Sequence, residues 1–221
     1  MKKSLSLSLL LIVSVVAMPQ SATHSLKVLQ SWQHTEEKGD LNKDGINDLV
    51  IIAVPPEESV ATRQSDEGEE DEDFREEPQP VLAIFWGTPQ GQYRHYKQYD
   101  EILPRGNNTC SYDRTITITD RGSLIFSMSL WCSAGSYGTS TDTFTFRYQN
   151  GVFFLIGYET DEFSRNSGER RVYSYNYLTW RKQTVTDNGF DDSVPKKEKW
   201  EKIAKKPLKR LGSFGFDESP Q

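Results

Sequence analysis

Short runs of alternating apolar and polar residues, separated by tight-turn sequences, dominate the second half of the chain and restrict it to an antiparallel β fold. In "TDTFTFRYQNGVFFLIGYET", aromatic residues alternate with polar ones up to Asn150-Gly151, and an apolar run follows. Asn-Gly between two such runs is among the strongest short-range signals for a β-hairpin. The segments 114–132 and 170–186 repeat this scheme. Successive hairpins predict sheets in which neighbouring strands are also neighbours in sequence.

Two runs in the first half of the chain are apolar at almost every position. They are "DLVIIAVP" at 48–55 and "PVLAIFWG" at 80–87, and turn residues follow each of them. Runs of this length are typical of buried strands. The segments 25–33 and 93–103 are further predicted strands. The predicted fold class is therefore all-β, built from antiparallel hairpins.

The segment before the C-terminus departs from this scheme. Residues 195–210 carry eight basic and two acidic side chains, and Trp200 and Ile203 lie on one helical face. This pattern predicts either one short amphipathic C-terminal helix or an extended segment that docks Trp200, Ile203, Leu208 and Leu211 on a sheet. Binding of nucleic acid or anionic lipid is not favoured, because the chain has a formal net charge of −6 and the apolar face is short.

The N-terminus has the layout of a secretory signal peptide. Two lysines precede an apolar stretch at 5–18, and small residues follow it. The stretch is shorter than the roughly 20 residues that a membrane-spanning helix needs. We expect a signal peptide at 1–22, cleaved near Ala22, with Ala17 as the competing site. The mature protein is then periplasmic or secreted, without a transmembrane segment.

The remaining residues are predicted to form a single β-rich domain at 23–215, interrupted by one acidic insert. Residues 57–79 contain eleven acidic and two basic side chains. Like charges at this density repel one another and form no core pattern, so we expect this insert to be disordered.

The two cysteines, Cys110 and Cys132, are predicted to form a disulfide. An even number of cysteines in an exported chain favours a disulfide, whereas two buried free thiols are the alternative.

The stretch "GDLNKDGINDLVII" predicts a calcium site. The candidate ligands are the side chains of Asp40, Asn42, Asp44 and Asp48 and the backbone carbonyl of Ile46. Calcium takes six to eight oxygen ligands in flexible geometry, and alternate residues of a tight loop can supply them. Gly45 permits the sharp turn within the loop. Magnesium demands a stricter geometry, and zinc prefers histidine or cysteine, which this loop lacks. The ion is expected to be structural, and an acidic turn without an ion is the alternative.

This loop resembles the calcium loops of FG-GAP repeats, the blades of integrin-type propellers. Their pattern is Asp-x-Asn-x-Asp-Gly-x-x-Asp-Leu before a strand, and Asp40 to Leu49 match it at every motif position. An EF-hand is less similar, because Ile51 stands where that motif has glutamate and a strand-like run replaces the helix. The resemblance covers about 37–99 and implies one blade-like unit. A full propeller typically has four to eight blades, more than this chain can supply.

The sequence contains no recognisable catalytic motif, so we expect a non-catalytic binding or structural module with an extracytoplasmic ligand or protein as its partner. The aromatic residues of 86–99 and Trp131 are candidates for a sugar or peptide surface, with burial in the core as the alternative. Two other functions remain open. One is an exported hydrolase whose site combines distant carboxylates with His95, and the other is an envelope-assembly partner that uses the basic tail.

Overall fold

The computed structural model describes residues 23–56 and 75–220. The predicted signal peptide and residues 57–74 of the predicted insert lie outside the described residues. The last five residues of that insert, 75–79, are described and contact the body of the protein, as shown below.

The described residues form one short helix and eleven strands. The elements are α1 (Leu26–Leu29), β1 (Gln33–Gly39), β2 (Asp48–Val54), β3 (Val81–Gly87), β4 (Tyr93–Tyr99), β5 (Cys110–Ile118), β6 (Ser123–Cys132), β7 (Gly138–Gln149), β8 (Val152–Ser164), β9 (Glu169–Asn176), β10 (Arg181–Asn188) and β11 (Lys197–Lys202). The prediction of an all-β fold is confirmed.

The strands form two antiparallel sheets in which every neighbour is consecutive in sequence. The small sheet has the order β1-β2-β3-β4, and the large sheet has the order β11-β10-β9-β8-β7-β6-β5. The hairpin turn at Asn150-Gly151 connects β7 and β8, and both residues have the positive φ that this turn requires. The other two predicted hairpins are β5–β6 and β9–β10.

The main core lies between the two sheets. Val50 and Ile52 of β2 share one buried cluster with Phe126, Phe144 and Phe146 of the large sheet. Full burial of such a side chain contributes about 1.5–3 kcal/mol. The core therefore joins the two sheets into one body.

The opposite face of the small sheet is also buried, which explains why β2 and β3 are apolar at nearly every position. Ile51 and Ala83 lie in a second cluster together with Leu29 of α1. The prediction of a strand at 25–33 is wrong: Ser25 caps a helix there by accepting a hydrogen bond from the Val28 N–H. A helical turn lets Leu26 and Leu29 lie on one face against the sheet.

The predicted C-terminal helix is also wrong, because residues 197–202 form β11 at the edge of the large sheet. A short isolated helix is marginal in water, whereas the free edge of β10 satisfies the backbone groups of an added strand. The alternative of an extended segment is confirmed for Ile203, Leu208 and Leu211, which pack against the main core. Trp200 remains 50% exposed.

The end of the chain inserts between the sheets. Phe216 stacks on Phe144 with ring centroids 4.5 Å apart, and its N–H donates to the Ile102 carbonyl at 2.7 Å. Phe214 is buried beside it. Residues 197–216, the C-terminal tail, therefore supply core side chains as well as an extra strand.

Candidate metal site

The predicted calcium loop connects β1 to β2. Gly39 and Asp48 are opposite each other in the register, so residues 40–47 close the hairpin. Lys43 and Gly45 have φ values of 67° and 85°. These two left-handed residues fold the loop back on itself, which explains the glycine at position 45.

Asp40 organises the first half of this loop. Its Oδ1 accepts hydrogen bonds from the N–H groups of Lys43, at 2.6 Å, and Asp44, at 3.2 Å. Its Oδ2 accepts one from the N–H of Gly45 at 2.9 Å. The carboxylate thus lies inside the curve of the loop, as the alternating pattern predicts.

Asn42 and Asp44 contact each other in the same loop. The Asn42 amide donates to Asp44 Oδ2 at 3.1 Å, and Asn42 Oδ1 accepts from the Asp44 N–H at 3.0 Å. Asp44 Oδ1 accepts from the Ile46 N–H at 2.9 Å. Three of the predicted side-chain ligands therefore lie within one short stretch of folded loop.

Asp48 occupies a different environment, because its side chain is fully buried. Its Oδ2 accepts from the Leu41 N–H at 2.9 Å and its Oδ1 from the Gly87 N–H at 3.0 Å. Burial raises the pKa of Asp48, although these backbone hydrogen bonds act in the opposite direction. No described lysine or arginine forms an ion pair with it.

The chemistry of the donors suits calcium, but the acidic side chains alone do not make a complete site. In the described ranges, no three histidine, cysteine, aspartate or glutamate side chains lie close enough to hold a metal ion together. The predicted ligand set also includes the Asn42 amide and the Ile46 carbonyl. A carboxylate has about four lone-pair sites, so the hydrogen bonds from the backbone N–H groups of Leu41, Asn42 and Gly87 leave Asp48 capacity for a further partner.

The loop packs at the junction of the two sheets, which the sequence did not indicate. A Cβ atom at Gly122, in the β5–β6 turn, would lie 2.8 Å from the Asp40 carbonyl oxygen and 3.1 Å from Lys43 Cε. A Cβ at Gly87, where β3 ends, would overlap the backbone oxygen of Asn47. Glycine at both positions lets the loop approach the large sheet and β3 closely.

The predicted disulfide between Cys110 and Cys132 is confirmed. The two residues are directly opposite each other in the β5–β6 register, with their Cα atoms 4.0 Å apart. The bond therefore joins the open ends of a hairpin whose turn carries Gly122 against the loop.

The end of the acidic insert is fixed to the large sheet by an ion pair. Glu77 accepts two hydrogen bonds from Arg114, from Nη1 at 3.2 Å and from Nη2 at 2.6 Å. Glu76 forms an isolated β-bridge with Asn107. The sequence of the insert did not indicate these contacts, since Arg114 lies 37 residues from Glu77 along the chain and Asn107 lies 31 residues from Glu76.

The aromatic and histidine candidates are divided between core and surface. Trp86 and Tyr99 are buried, whereas Trp131 is 48% exposed and lies under the guanidinium of Arg165. His95 is exposed on β4, with its ring against the edge of Phe85. These residues do not come together in one polar site.

Across the part of the chain that the structure describes, no helix is long and apolar enough to cross a membrane. Comparison of the chain with models of protein families, with curated proteins and with solved structures finds no match.

Proposed function

We propose that this chain is an exported, non-catalytic β-protein in which the loop from Asp40 to Asp48 binds a structural calcium ion. The observation that carries the proposal is the folded state of the loop. The side chains of Asp40, Asn42 and Asp44 are held within it by hydrogen bonds to its own backbone. An all-oxygen set of this kind is what calcium prefers.

The buried carboxylate of Asp48 supports the same proposal. Burying a charge without an opposite charge is costly, and its backbone N–H partners offset only part of that cost. A calcium ion bound beside this carboxylate would offset more of it, and Asp40, Asp44 and Asp48 would have to draw together around the ion, because in the described structure they do not lie close enough to hold one. Since Asp48 also bonds the end of β3, the ion would hold the β1–β2 loop against its neighbouring strand.

The resemblance to an FG-GAP blade is supported by the topology around the loop. A propeller blade has four antiparallel strands. Strands β1 to β4 form such a four-stranded unit in sequence order, and the acidic loop precedes β2. We propose that this unit is a single blade-like module, and that the large sheet takes the place of further blades.

Calorimetric titration of the purified protein with calcium tests the metal site. We expect one site per chain, lost in Asp44→Asn and kept in Asp192→Asn, which removes a charge from the exposed β10–β11 connection. With a Kd of about 10⁻⁴–10⁻³ M, as in many extracellular modules, calcium at about 10 mM would stabilise the fold by about 1.4–2.7 kcal/mol. Magnesium at the same concentration should bind more weakly.

Two results would count against this function. One is the absence of calcium binding at millimolar concentration, which would leave an acidic turn stabilised by its own hydrogen bonds. The other is equal calcium stabilisation of Asp44→Asn and the unmodified protein, which would mean that the ion binds elsewhere.

Export is tested separately, by expressing the chain with its own N-terminus in a bacterial host and measuring the mass of the mature protein, which should begin at Thr23.

A further inference from the structure

A cavity of about 280 Å³ lies between the large sheet and the tail that follows β11. Its apolar wall includes Leu155 of β8, Tyr177 and Trp180 of the β9–β10 connection, and Ile203 and Leu208 of the tail. The volume is close to the lower end of the range of about 300–1,000 Å³ that is typical of small-molecule sites. The cavity is remote in sequence from the calcium loop and shares no residue with it.

The tail covers one side of this cavity because it is anchored at two points. The Ile203 N–H donates to the Trp180 carbonyl at 3.0 Å, and the Lys209 carbonyl accepts from the Leu155 N–H at 2.9 Å. We call residues 203–209 the strap. Between its two anchors, no backbone hydrogen bond among the described residues ties the strap to the sheet. The strap therefore arches over the sheet and leaves space beneath it.

The charged groups of this cavity are all of one sign. Lys182, Lys206 and Lys209 line it, and among the described residues no aspartate or glutamate belongs to the wall. None of these lysines forms an ion pair with a described carboxylate. Glu201 is opposite Lys182 in the register, but its carboxylate bonds Lys199 at 2.8 Å.

The wall also contains a buried polar atom that has no partner among the described residues. Tyr175 is 6% exposed, and its hydroxyl group makes no hydrogen bond with any residue of 23–56 or 75–220. The Lys182 ammonium lies over the same ring, 5.0 Å from its centroid. Buried hydroxyl groups in native proteins almost always have a partner, so the Tyr175 hydroxyl retains the capacity for one more hydrogen bond.

We propose that the cavity under the strap binds a small molecule with an apolar body and one carboxylate group. The aromatic and aliphatic wall takes the apolar body, and the three lysines attract the carboxylate. The cavity volume, below the usual range for drug-sized ligands, suits a small body. A cationic or dianionic molecule fits less well, because the first meets like charge and the second must bring two strongly hydrated groups to an apolar wall.

Titration with octanoate, octylamine and octanol, followed by NMR of the purified protein, tests this proposal. We expect octanoate to shift the signals of Trp180 and Ile203 at millimolar concentration, octanol to bind more weakly and octylamine not to bind. Lys206→Glu should weaken octanoate binding by about tenfold, because charge reversal replaces an attraction by a repulsion of similar size. Lys205→Glu is the matched control, since this exposed neighbour does not line the cavity, and should change binding less than twofold.

A second variant tests the location without disturbing the core. Ala204 is exposed at the rim of the cavity, so Ala204→Trp should block access and abolish octanoate binding while leaving the melting temperature unchanged. Octanoate binding that survives this substitution, or that octylamine matches, would overturn the proposal. The same holds if octanoate fails to bind at millimolar concentration.

Discussion

Replacing Glu77 by glutamine should be one of the most destabilising polar substitutions in this protein. The change preserves shape but removes the negative charge that Arg114 faces. The Arg114 side chain is only 7% exposed and that of Glu77 is 28% exposed. Arg114 Nη2 also donates to the Pro104 carbonyl at 2.7 Å, and Glu77 Oε2 accepts from the Gly106 N–H at 3.1 Å. The pair therefore fixes three segments of chain to one another.

The magnitude follows from the charge that the substitution leaves unpaired. Removing one partner of a buried ion pair costs about 3–5 kcal/mol, because the other charge stays buried without compensation. Water reaches Glu77 in part, so we expect the lower end, about 3 kcal/mol. The neighbouring pair Glu76–Arg105 has a similar distance, 2.6 Å, but both side chains are more than a third exposed. Glu76→Gln should therefore lower the free energy of unfolding by less than about 1 kcal/mol.

Urea unfolding of the two variants side by side measures this difference. With a slope of about 2 kcal/mol per molar urea, Glu77→Gln should lower the midpoint by about 1.5 M and Glu76→Gln by less than about 0.5 M. Equal shifts in the two variants would refute the reasoning, because they would mean that burial of the Arg114 charge does not decide the cost. A smaller slope in Glu77→Gln would indicate that less surface is exposed on unfolding, from a looser native state, a more compact denatured state or a transition that is no longer two-state.

Three other predictions concern pH, the disulfide and the glycine contact of the loop. Burial opposes the charged form of Glu77, but its bonds with Arg114 and Gly106 lower its pKa overall. The ionised Glu77 carboxylate therefore stabilises the fold fully above the ordinary glutamate pKa, and this stabilisation is lost as pH falls through the lowered pKa. In urea unfolding at decreasing pH, the difference in unfolding free energy between the unmodified protein and Glu77→Gln should therefore become smaller. Replacing both cysteines by serine should cost about 3 kcal/mol in urea unfolding, from the loop-closure entropy of a 22-residue separation; an unchanged midpoint would argue against it. Gly87→Ala should cost at least about 2 kcal/mol, since its Cβ would overlap the Asn47 oxygen. Gly157→Ala, where the nearest atom lies 3.6 Å away, is the control and should be close to neutral in thermal unfolding.

The parts of the fold that were predicted correctly are those encoded within a few residues. The hairpin around Asn150-Gly151 combines a turn dipeptide with flanking period-two runs, and both signals are local. The all-apolar run of β2 correctly indicated a buried strand. The acidic loop of 40–48 was found because its residues are adjacent in sequence, although its calcium remains a prediction.

The parts that were missed depend on contacts between distant segments. The local pattern of 25–33 predicts a strand. In the structure, however, the second face of the small sheet is apolar and must be buried, and a helical turn that carries Leu26 and Leu29 buries it. Residues 197–202 read as a helix because of Trp200 and Ile203, but β10 presents an unpaired edge to them. The local sequence indicates neither the apolar second face of the small sheet nor the unpaired edge of β10.

By itself, the sequence determined the all-β class, the hairpin turns, the cysteine pair and the position of the acidic loop. Tertiary structure alone decided that Asp48 is buried against the end of β3, that Glu77 is paired with Arg114, and that the strap covers one side of a cavity lined by lysines. The physical reason is that periodicity and turn chemistry act between near neighbours along the chain. The burial of a charge depends instead on which distant segments pack around it.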